Sequence, residues 1–175
     1  MKIPFTKMHG IGNDFIILNQ LSNKYNLNSK IIRPFNFYGE GMKKNDKRVI
    51  PQFFLQALAN KKIKVFSNGK QTRTYCHIDD AIEMIIAIIF FGKDFVYNVG
   101  NDKNEMSANQ LAKKILKITG SFSSISNIKY PSNYPSDEPQ RRSPNIDKFK
   151  KEFGFSPKIK IDDGLKTFFD YAKKT

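Results

Sequence analysis

Three arginines carry the side chains best suited to binding an anion. Arg73 follows a glycine turn, whereas Arg141 and Arg142 lie together in a stretch rich in proline. A guanidinium group is planar and donates paired hydrogen bonds to phosphate oxygens, so the three side chains could converge on one diphosphate. The alternative is ion pairing at the surface with Asp137 or Glu138, and for the adjacent pair the residue types alone favour that alternative.

A second cluster of reactive side chains is the run CHIDD, which begins at Cys76. Thiol, imidazole and carboxylate groups are common ligands of transition metals. Neighbouring residues of a strand point to opposite faces, however, which separates Cys76 from His77, and no second ligand pair lies at a matching spacing. We therefore expect a strand histidine and helix-capping aspartates, Asp79 and Asp80, rather than a metal site.

The stretch MHGIGNDF, residues 8–15, contains two glycines that could open a phosphate-binding loop. A dinucleotide fingerprint needs G-x-G-x-x-G between a strand and a helix, and Phe15 stands at the third glycine position. Gly10 and Gly12 beside an apolar run are more typical of a tight turn between strands. His9 and Cys76 would make a nucleophile and its base if they met, but nothing in the sequence brings them together.

The chain has 175 residues and a formal net charge of +14. Such an excess can indicate nucleic-acid binding, because lysine and arginine displace counterions from a phosphate backbone. The lysines are scattered, however, and no basic stripe with interleaved aromatic residues is present. We therefore expect a solvated, lysine-rich surface and no nucleic-acid partner.

The cysteine count and the apolar runs bear on the cellular compartment. A single cysteine allows no intramolecular disulfide and gives no support to an oxidising compartment. The most apolar run, MIIAIIFFG from Met84, is far shorter than the roughly 20 residues that cross a bilayer, and the N-terminus lacks a signal pattern. We expect a cytoplasmic protein without membrane contact.

Strand and helix patterns alternate from about residue 30. KIIRPFNF predicts a buried strand that breaks at Pro34, KIKVF and RTYCHI predict two more strands, and a helix should follow near Asp79. Another helix can begin around Pro51, because proline needs no hydrogen-bond partner for its nitrogen there. Its apolar face should consist of Ile50, Phe53, Phe54, Ala57 and Leu58.

The second half of the chain continues the alternation. FVYNVG predicts a strand, and Ser107 and Gln110 have the spacing of a capping box for a helix that ends at Gly120. Residues 121–144 are rich in Ser, Asn and Pro, which predicts a loop or linker. Two short helices close the chain, and the apolar face of the last comprises Leu165, Phe168, Phe169 and Ala172. This alternation favours an α/β fold.

Five motifs occur in an order that resembles one enzyme family. They are RPFNFYGEGM, RVIPQFFLQAL, KVFSNGKQTRTYCHIDD, YNVGND and DEPQRRSPNIDKFKKEFGFSPK. This series is similar to the C-terminal half of extended short-chain dehydrogenases that act on nucleotide sugars, the NAD-dependent epimerase/dehydratase family, and above all to UDP-glucuronate decarboxylases. The resemblance covers roughly residues 20 to 175. It implies a partial Rossmann-like α/β fold with a substrate-binding subdomain.

The resemblance also implies a cofactor, a ligand and site residues. Members of the family bind NAD, oxidise a nucleotide sugar transiently at C4, and are usually homodimers; a UDP-sugar is the ligand we expect. By position in the motifs, Pro34 and Phe35 would lie near the nicotinamide of NAD and Asn36 would contact the sugar nucleotide. The backbone of Lys64, Val65 and Phe66 would hold the base. Arg73 would pair with the diphosphate, together with Arg141 or Arg142.

Two motifs of the family are absent from these residues. No glycine-rich G-x-x-G-x-x-G occurs, and none of the seven tyrosines is followed four residues later by lysine. In the family the tyrosine of Tyr-x-x-x-Lys abstracts the proton and the lysine lowers its pKa. The isolated chain is therefore expected to be inactive.

The first residues resemble a different enzyme. MKIPFTKMHGIGNDFIILN is similar to the first strand and turn of diaminopimelate epimerase, in which the asparagine that corresponds to Asn13 touches the substrate. We therefore expect two segments, residues 1–19 and residues 20–175. The diaminopimelate enzyme uses two cysteines as acid and base, and one cysteine in another motif cannot supply that pair.

Three hypotheses follow for the function. The chain is an inactive fragment that binds a nucleotide sugar, a non-catalytic module that completes a partner chain carrying the Rossmann half, or a diaminopimelate epimerase. In the first case the strand at residues 30–35 would have an exposed apolar edge. We then expect poor solubility or self-association.

Overall fold

The computed structural model describes residues 6–10, 13–17, 29–43, 46–132, 134 and 138–174. Strands and helices alternate along these ranges, as the sequence predicts. In chain order they are β1 (Thr6–Gly10), β2 (Asn13–Ile17), β3 (Ile31–Pro34), β4 (Phe37–Tyr38), α1 (Val49–Leu58), β5 (Ile63–Phe66), β6 (Thr72–Thr74), β7 (Cys76–His77), α2 (Ile78–Phe91), β8 (Val96–Val99), β9 (Glu105–Ser107), α3 (Ala108–Thr119), β10 (Ile125–Ile128), β11 (Arg141–Arg142), α4 (Asp147–Phe153) and α5 (Ile161–Lys174).

Most strand pairs are parallel, which is the arrangement that βαβ connections produce. β3 pairs with β8, β4 with β7, and β5 with β10, all parallel. A three-stranded sheet has the order β11-β6-β9, in which β11 is parallel to β6 and β9 is antiparallel to it. β1 and β2 form an antiparallel pair in which Gly10 opposes Asn13. The two predicted strands are therefore present, and the predicted turn at residues 11 and 12 lies outside the described residues.

Two groups of buried side chains hold these elements together. In the larger group the Phe54 ring of α1 stacks on Phe169 of α5 at 5.8 Å, and Phe168 meets it edge-on at 5.3 Å. In the smaller group Tyr97 of β8 and Met84 of α2 pack with Phe149 of α4. The first group lies beneath β5, and the second lies against β8.

Helix boundaries follow the capping signals of the sequence. Ser107 and Gln110 form the complete capping box of α3, and Gly120 ends that helix in the left-handed conformation with φ 66°. α2 begins at Ile78, beside the predicted start. The predicted apolar face of α1 is buried except for Leu58, which is 44 % exposed. Leu58 lies about 80° around the helix from Ile50 at the edge of the apolar stripe, and the helix ends there.

The prediction of a loop or linker over residues 121–144 is wrong in part. Ile125–Ile128 is a strand alongside β5, and Arg141–Arg142 is a short strand alongside β6. The free edge of β5 explains the first strand, because its backbone groups need partners. The amide of Ile63 donates to the Ser124 carbonyl at 2.9 Å just before the pairing begins.

α2 has one buried face and one exposed apolar face. Asp80, Ala81, Met84 and Ile88 are buried. The exposed side chains, between 46 and 73 % accessible, are Ile82, Ile86, Ile89, Phe90 and Phe91. No helix within the described ranges is both long enough and apolar enough to cross a membrane.

Candidate functional site

Strand register decides which of the three arginines lie together. In the β11–β6 pair, Arg142 lies beside Arg73 and Arg141 lies beside Thr72. Because successive side chains of a strand point to opposite faces, the arginine next to Arg73 shares its face and the other does not. The structure therefore brings Arg73 and Arg142 together and directs Arg141 away from them.

The carboxylate of Glu138 lies between Arg73 and Arg142. Arg73 donates a hydrogen bond to one carboxylate oxygen of Glu138, and the second oxygen lies 3.9 Å from a terminal nitrogen of Arg142. Arg73 also donates to the backbone carbonyl of Thr72 at 2.8 Å. The side chains of Arg73 and Glu138 are each only 13 % exposed. The ion pairing with Glu138 that the residue types suggested is present, and Asp137 lies outside the described residues.

Arg141 belongs to a different ion pair on the exposed side of the same sheet. Its guanidinium donates to both carboxylate oxygens of Glu105, each at 2.8 Å, and its side chain is 70 % exposed. The hydroxyl of Thr72 donates to the same carboxylate at 2.6 Å. These contacts, chiefly the one with Arg141, hold the pKa of the Glu105 carboxyl below its usual value. Arg141 therefore fastens β11 to β9 at the surface.

Three aromatic rings stand beside the Arg73 and Arg142 pair. The Tyr130 ring stacks on Phe66 with centroids 5.3 Å apart, and the Tyr134 ring stacks on Tyr130 at 4.2 Å. Burial, followed by the nearby Glu138 carboxylate, raises the pKa of both tyrosines. A planar aromatic surface next to paired guanidinium groups offers stacking for a base and charge for a phosphate. Sequence reasoning missed both tyrosines, although their spacing of four in a proline-rich stretch was visible.

Among the three residues predicted to hold the base, the side chains differ in direction. Val65 is buried in the core, Lys64 is exposed, and Phe66 contributes its ring to the aromatic stack. The Phe66 carbonyl accepts hydrogen bonds from the Gly69 amide and from the side chain of Gln71. Phe66 therefore joins the turn after β5 to the aromatic surface.

The residues at the end of β3 are tied to the strand that carries Arg73. Asn36 adopts a positive φ of 45°, which asparagine tolerates better than most residues. Its side-chain amide donates to the Thr74 carbonyl at 2.8 Å, and its own carbonyl accepts from the Cys76 amide. The Phe35 amide donates to Val99 at 2.9 Å. Asn36 is therefore bonded to the residue that follows Arg73 in β6. Pro34 and Phe35 instead lie beside β8.

The CHIDD run makes structural contacts through His77 and Asp80, although the Nε2 of His77 is buried without a hydrogen-bond partner. Burial raises the pKa of the Cys76 thiol to about 12, and the Nδ1 of His77 accepts the Asp79 amide at the start of α2. The carboxylate of Asp80 accepts the amides of Lys158 and Ile159, each at 3.0 Å. The expectation of two capping aspartates is therefore corrected, because His77 caps the helix and Asp80 anchors a distant loop. Within the described ranges, no group of three metal-ligating side chains is close enough to hold an ion.

A comparison with protein families matches residues 15–100 to the model of the NAD dependent epimerase/dehydratase family. Those residues belong to that family. The match begins inside the segment of residues 1–19, whose resemblance to diaminopimelate epimerase stays a prediction. Asn13 lies in β2, and its side chain is outside the described part of the structure.

Curated relatives extend the similarity over most of the chain. UDP-glucuronic acid decarboxylase 1 of Xenopus tropicalis is 33% identical over 145 residues, which are 83% of this chain and 33% of that protein. UDP-glucuronic acid decarboxylase 3 of Arabidopsis thaliana is 32% identical over 81% of this chain and 40% of that protein. The chain thus spans a third to two fifths of the length of these two relatives.

Solved structures give the same picture for the fold. UDP-glucuronic acid 4-epimerase of Bacillus cereus, in complex with UDP-glucuronic acid and NAD, is 26% identical and superimposes with a TM-score of 0.77 over 87% of this chain and 48% of that one. Pal from Bacillus thuringiensis is 27% identical, with a TM-score of 0.79 over 90% of this chain and 49% of that one. The predicted partial Rossmann-like α/β fold and the family's dependence on NAD are confirmed.

The N-termini of α2 and α3 do not fit the pyrophosphate of NAD. Such a group needs a glycine-rich turn that leads into a free helix N-terminus. The first turn of α2 carries the carboxylates Asp79 and Asp80, which repel phosphate, and the N-terminus of α3 is closed by the Ser107–Gln110 capping box. Pro34 and Phe35 remain the residues predicted to meet the nicotinamide end.

Proposed function

We propose that this chain binds the nucleoside diphosphate part of a nucleotide sugar, in particular a UDP-sugar, and does not complete a reaction alone. The observation that carries the proposal is the alignment of Arg142 with Arg73 on neighbouring parallel strands. Two guanidinium groups on one face match the two charged phosphates of a diphosphate better than a single phosphate. The two decarboxylases and the 4-epimerase named above act on UDP-glucuronic acid, which supports a UDP-sugar as the ligand.

Each part of the ligand has residues to meet it. Arg73 and Arg142 hold the diphosphate, and the base lies against Phe66. Asn36, held by its bond to the Thr74 carbonyl, faces the sugar nucleotide. These residues bind and orient; none of them is a general base with the roles of the family's Tyr-x-x-x-Lys pair. Proton abstraction and hydride transfer therefore require groups other than these site residues.

A second candidate function is a module that completes a partner chain carrying the Rossmann half. It is favoured by the surfaces around β3 and α2. Among the described residues, β3 pairs with β8 alone, and α2 turns the exposed Ile86, Phe90 and Phe91 outward. An unpaired strand side and an apolar helix face are the surfaces that a missing half would cover. Retention of such a partner through purification at high salt would support this function, and failure of the two chains to associate would exclude it.

Calorimetric titration of the purified chain with UDP and, separately, with NAD tests the first proposal. We expect UDP to bind and NAD to give no heat. Arg73→Ala should weaken UDP binding at least about tenfold, because a charge-assisted hydrogen bond contributes about 1.5–3 kcal/mol. Arg48→Ala is the matched control, since Arg48 is an exposed arginine whose ion pair is with Asp46 rather than with Glu138.

Equal losses in Arg73→Ala and Arg48→Ala would mean that the chain attracts phosphate through its overall positive charge, and they would contradict the proposal. A titration at low and at physiological salt separates that case further, because nonspecific phosphate binding weakens steeply with salt. Conversion of a UDP-sugar by the purified chain with added NAD would refute the claim that it is inactive alone.

A further inference from the structure

Glu138 makes contacts that a bound diphosphate would need. Its two carboxylate oxygens face Arg73 and Arg142, so one carboxylate engages both arginines of the cluster. The three side chains are between 13 and 22 % exposed, and charge-assisted pairs are stronger where water is partly excluded. Within the described ranges, the exposed pair of Arg141 and Glu105 on the same sheet involves one arginine.

The tyrosines near Glu138 make the matching contact on the aromatic side. Tyr130 stacks on Phe66, the ring proposed to meet the base, and Tyr134 stacks on Tyr130. One part of the chain thus presents an aromatic ring to Phe66 and a carboxylate to Arg73 and Arg142. These are the two chemical groups that a nucleotide would present to the same side chains.

We infer that Glu138 is an intramolecular competitor of the ligand, whose carboxylate neutralises Arg73 and Arg142 in the free chain and leaves when a diphosphate binds. The inference rests on the proposed function, because it concerns the same two arginines. A diphosphate brings more negative charge and more acceptor oxygens than one carboxylate, so the exchange favours the ligand. If the Glu138 carboxylate occupies the two arginines in about nine of every ten free chains, only about one chain in ten is ready to bind. The apparent affinity for the diphosphate is then about tenfold lower.

Calorimetric titration with UDP of the wild-type chain, Glu138→Gln and Glu138→Ala tests the inference. The glutamine variant keeps the shape of the side chain and removes its charge, and the alanine variant removes the contact altogether. Both should bind UDP about tenfold more tightly than the wild type. Glu105→Gln is the matched control, because it removes the same charge from the arginine pair on the other face and should leave the affinity unchanged. Thermal melting of each variant verifies that it is folded.

The outcomes separate this inference from the proposed function. Tighter binding in both Glu138 variants, with Glu105→Gln unchanged, supports it. If the wild type binds UDP and the folded Glu138 variants bind equally or more weakly, the carboxylate positions the arginines and the inference is wrong, while the proposed function stands. Equal gains in all three variants mean a general charge effect and also overturn it. Absence of UDP binding in every folded variant contradicts the proposed function itself.

Discussion

Replacement of Asp80 by alanine should destabilise the fold far more than replacement of its neighbour Asp79. The Asp80 side chain is buried, and its two carboxylate oxygens accept the amides of Lys158 and Ile159. These bonds fasten the start of α2 to the loop that precedes α5. Asp79 is the natural control, because its side chain is 71 % exposed and accepts no comparable pair of bonds.

The magnitude follows from the number and the type of bonds lost. Each hydrogen bond to a charged group contributes about 1.5–3 kcal/mol, and the loss of two gives roughly 3 kcal/mol or more for Asp80→Ala. For Asp79→Ala we expect about 0.3–1 kcal/mol, because an exposed carboxylate in the first helical turn mainly interacts with the helix dipole. With a urea m-value of about 2 kcal/mol/M, the unfolding midpoint of Asp80→Ala should fall by roughly 1.5 M.

Urea unfolding followed by circular dichroism measures both variants. Asp80→Asn should lie between them, since the amide retains one acceptor oxygen. If the free energy of unfolding falls in Asp80→Ala by an amount within about 0.5 kcal/mol of the fall in Asp79→Ala, the anchoring role is refuted. That margin is about the size of an ordinary surface effect. A shift of the wild-type midpoint on addition of zinc that both variants abolish would instead indicate a metal site at these aspartates.

Three further predictions concern the core and the exposed helix face. The Cys76 thiol, with its pKa raised to about 12 by burial, should be inert to a thiol reagent at pH 8 in the native chain and should react in urea. Because the unfolded thiol loses its proton near pH 9, the free energy of unfolding should fall as the pH rises above 9, and it should fall less in Cys76→Ala. Ile86→Lys with Phe90→Lys should reduce self-association in sedimentation, whereas a sharp monomeric boundary for the wild type would contradict the predicted association. Gly164→Ala should lower the melting temperature, because the added methyl would overlap the Tyr38 hydroxyl, and an unchanged melting temperature would show that Tyr38 moves freely.

Local signals in the sequence were sufficient for much of the fold. The capping box of α3 and Gly120 depend on residues within one helical turn, so their prediction needed no knowledge of distant contacts. The strand Ile125–Ile128 was missed because its stabilising partner is β5, about 60 residues earlier in the chain. Leu58 was assigned to the buried face because periodicity does not reveal where a helix leaves the core.

The candidate site shows the same division between local and long-range information. Residue chemistry and the family motifs pointed to Arg73 and to one of two neighbouring arginines. Only the register of β11 on β6 distinguishes Arg142 from Arg141, and register is a property of two segments that lie about 70 residues apart in the chain. The role of Glu138 between Arg73 and Arg142, and the stacking of Tyr130 on Phe66, likewise depend on tertiary contacts.

The most direct test of the nucleotide-binding account compares UDP affinity in Arg142→Ala and Arg141→Ala. The two variants remove the same side chain from adjacent positions and change the net charge equally, so only the face of the strand differs. We predict that Arg142→Ala weakens UDP binding at least about tenfold, while Arg141→Ala retains the wild-type affinity. Equal effects of the two substitutions, or a loss confined to Arg141→Ala, would contradict the assignment of the diphosphate to Arg73 and Arg142.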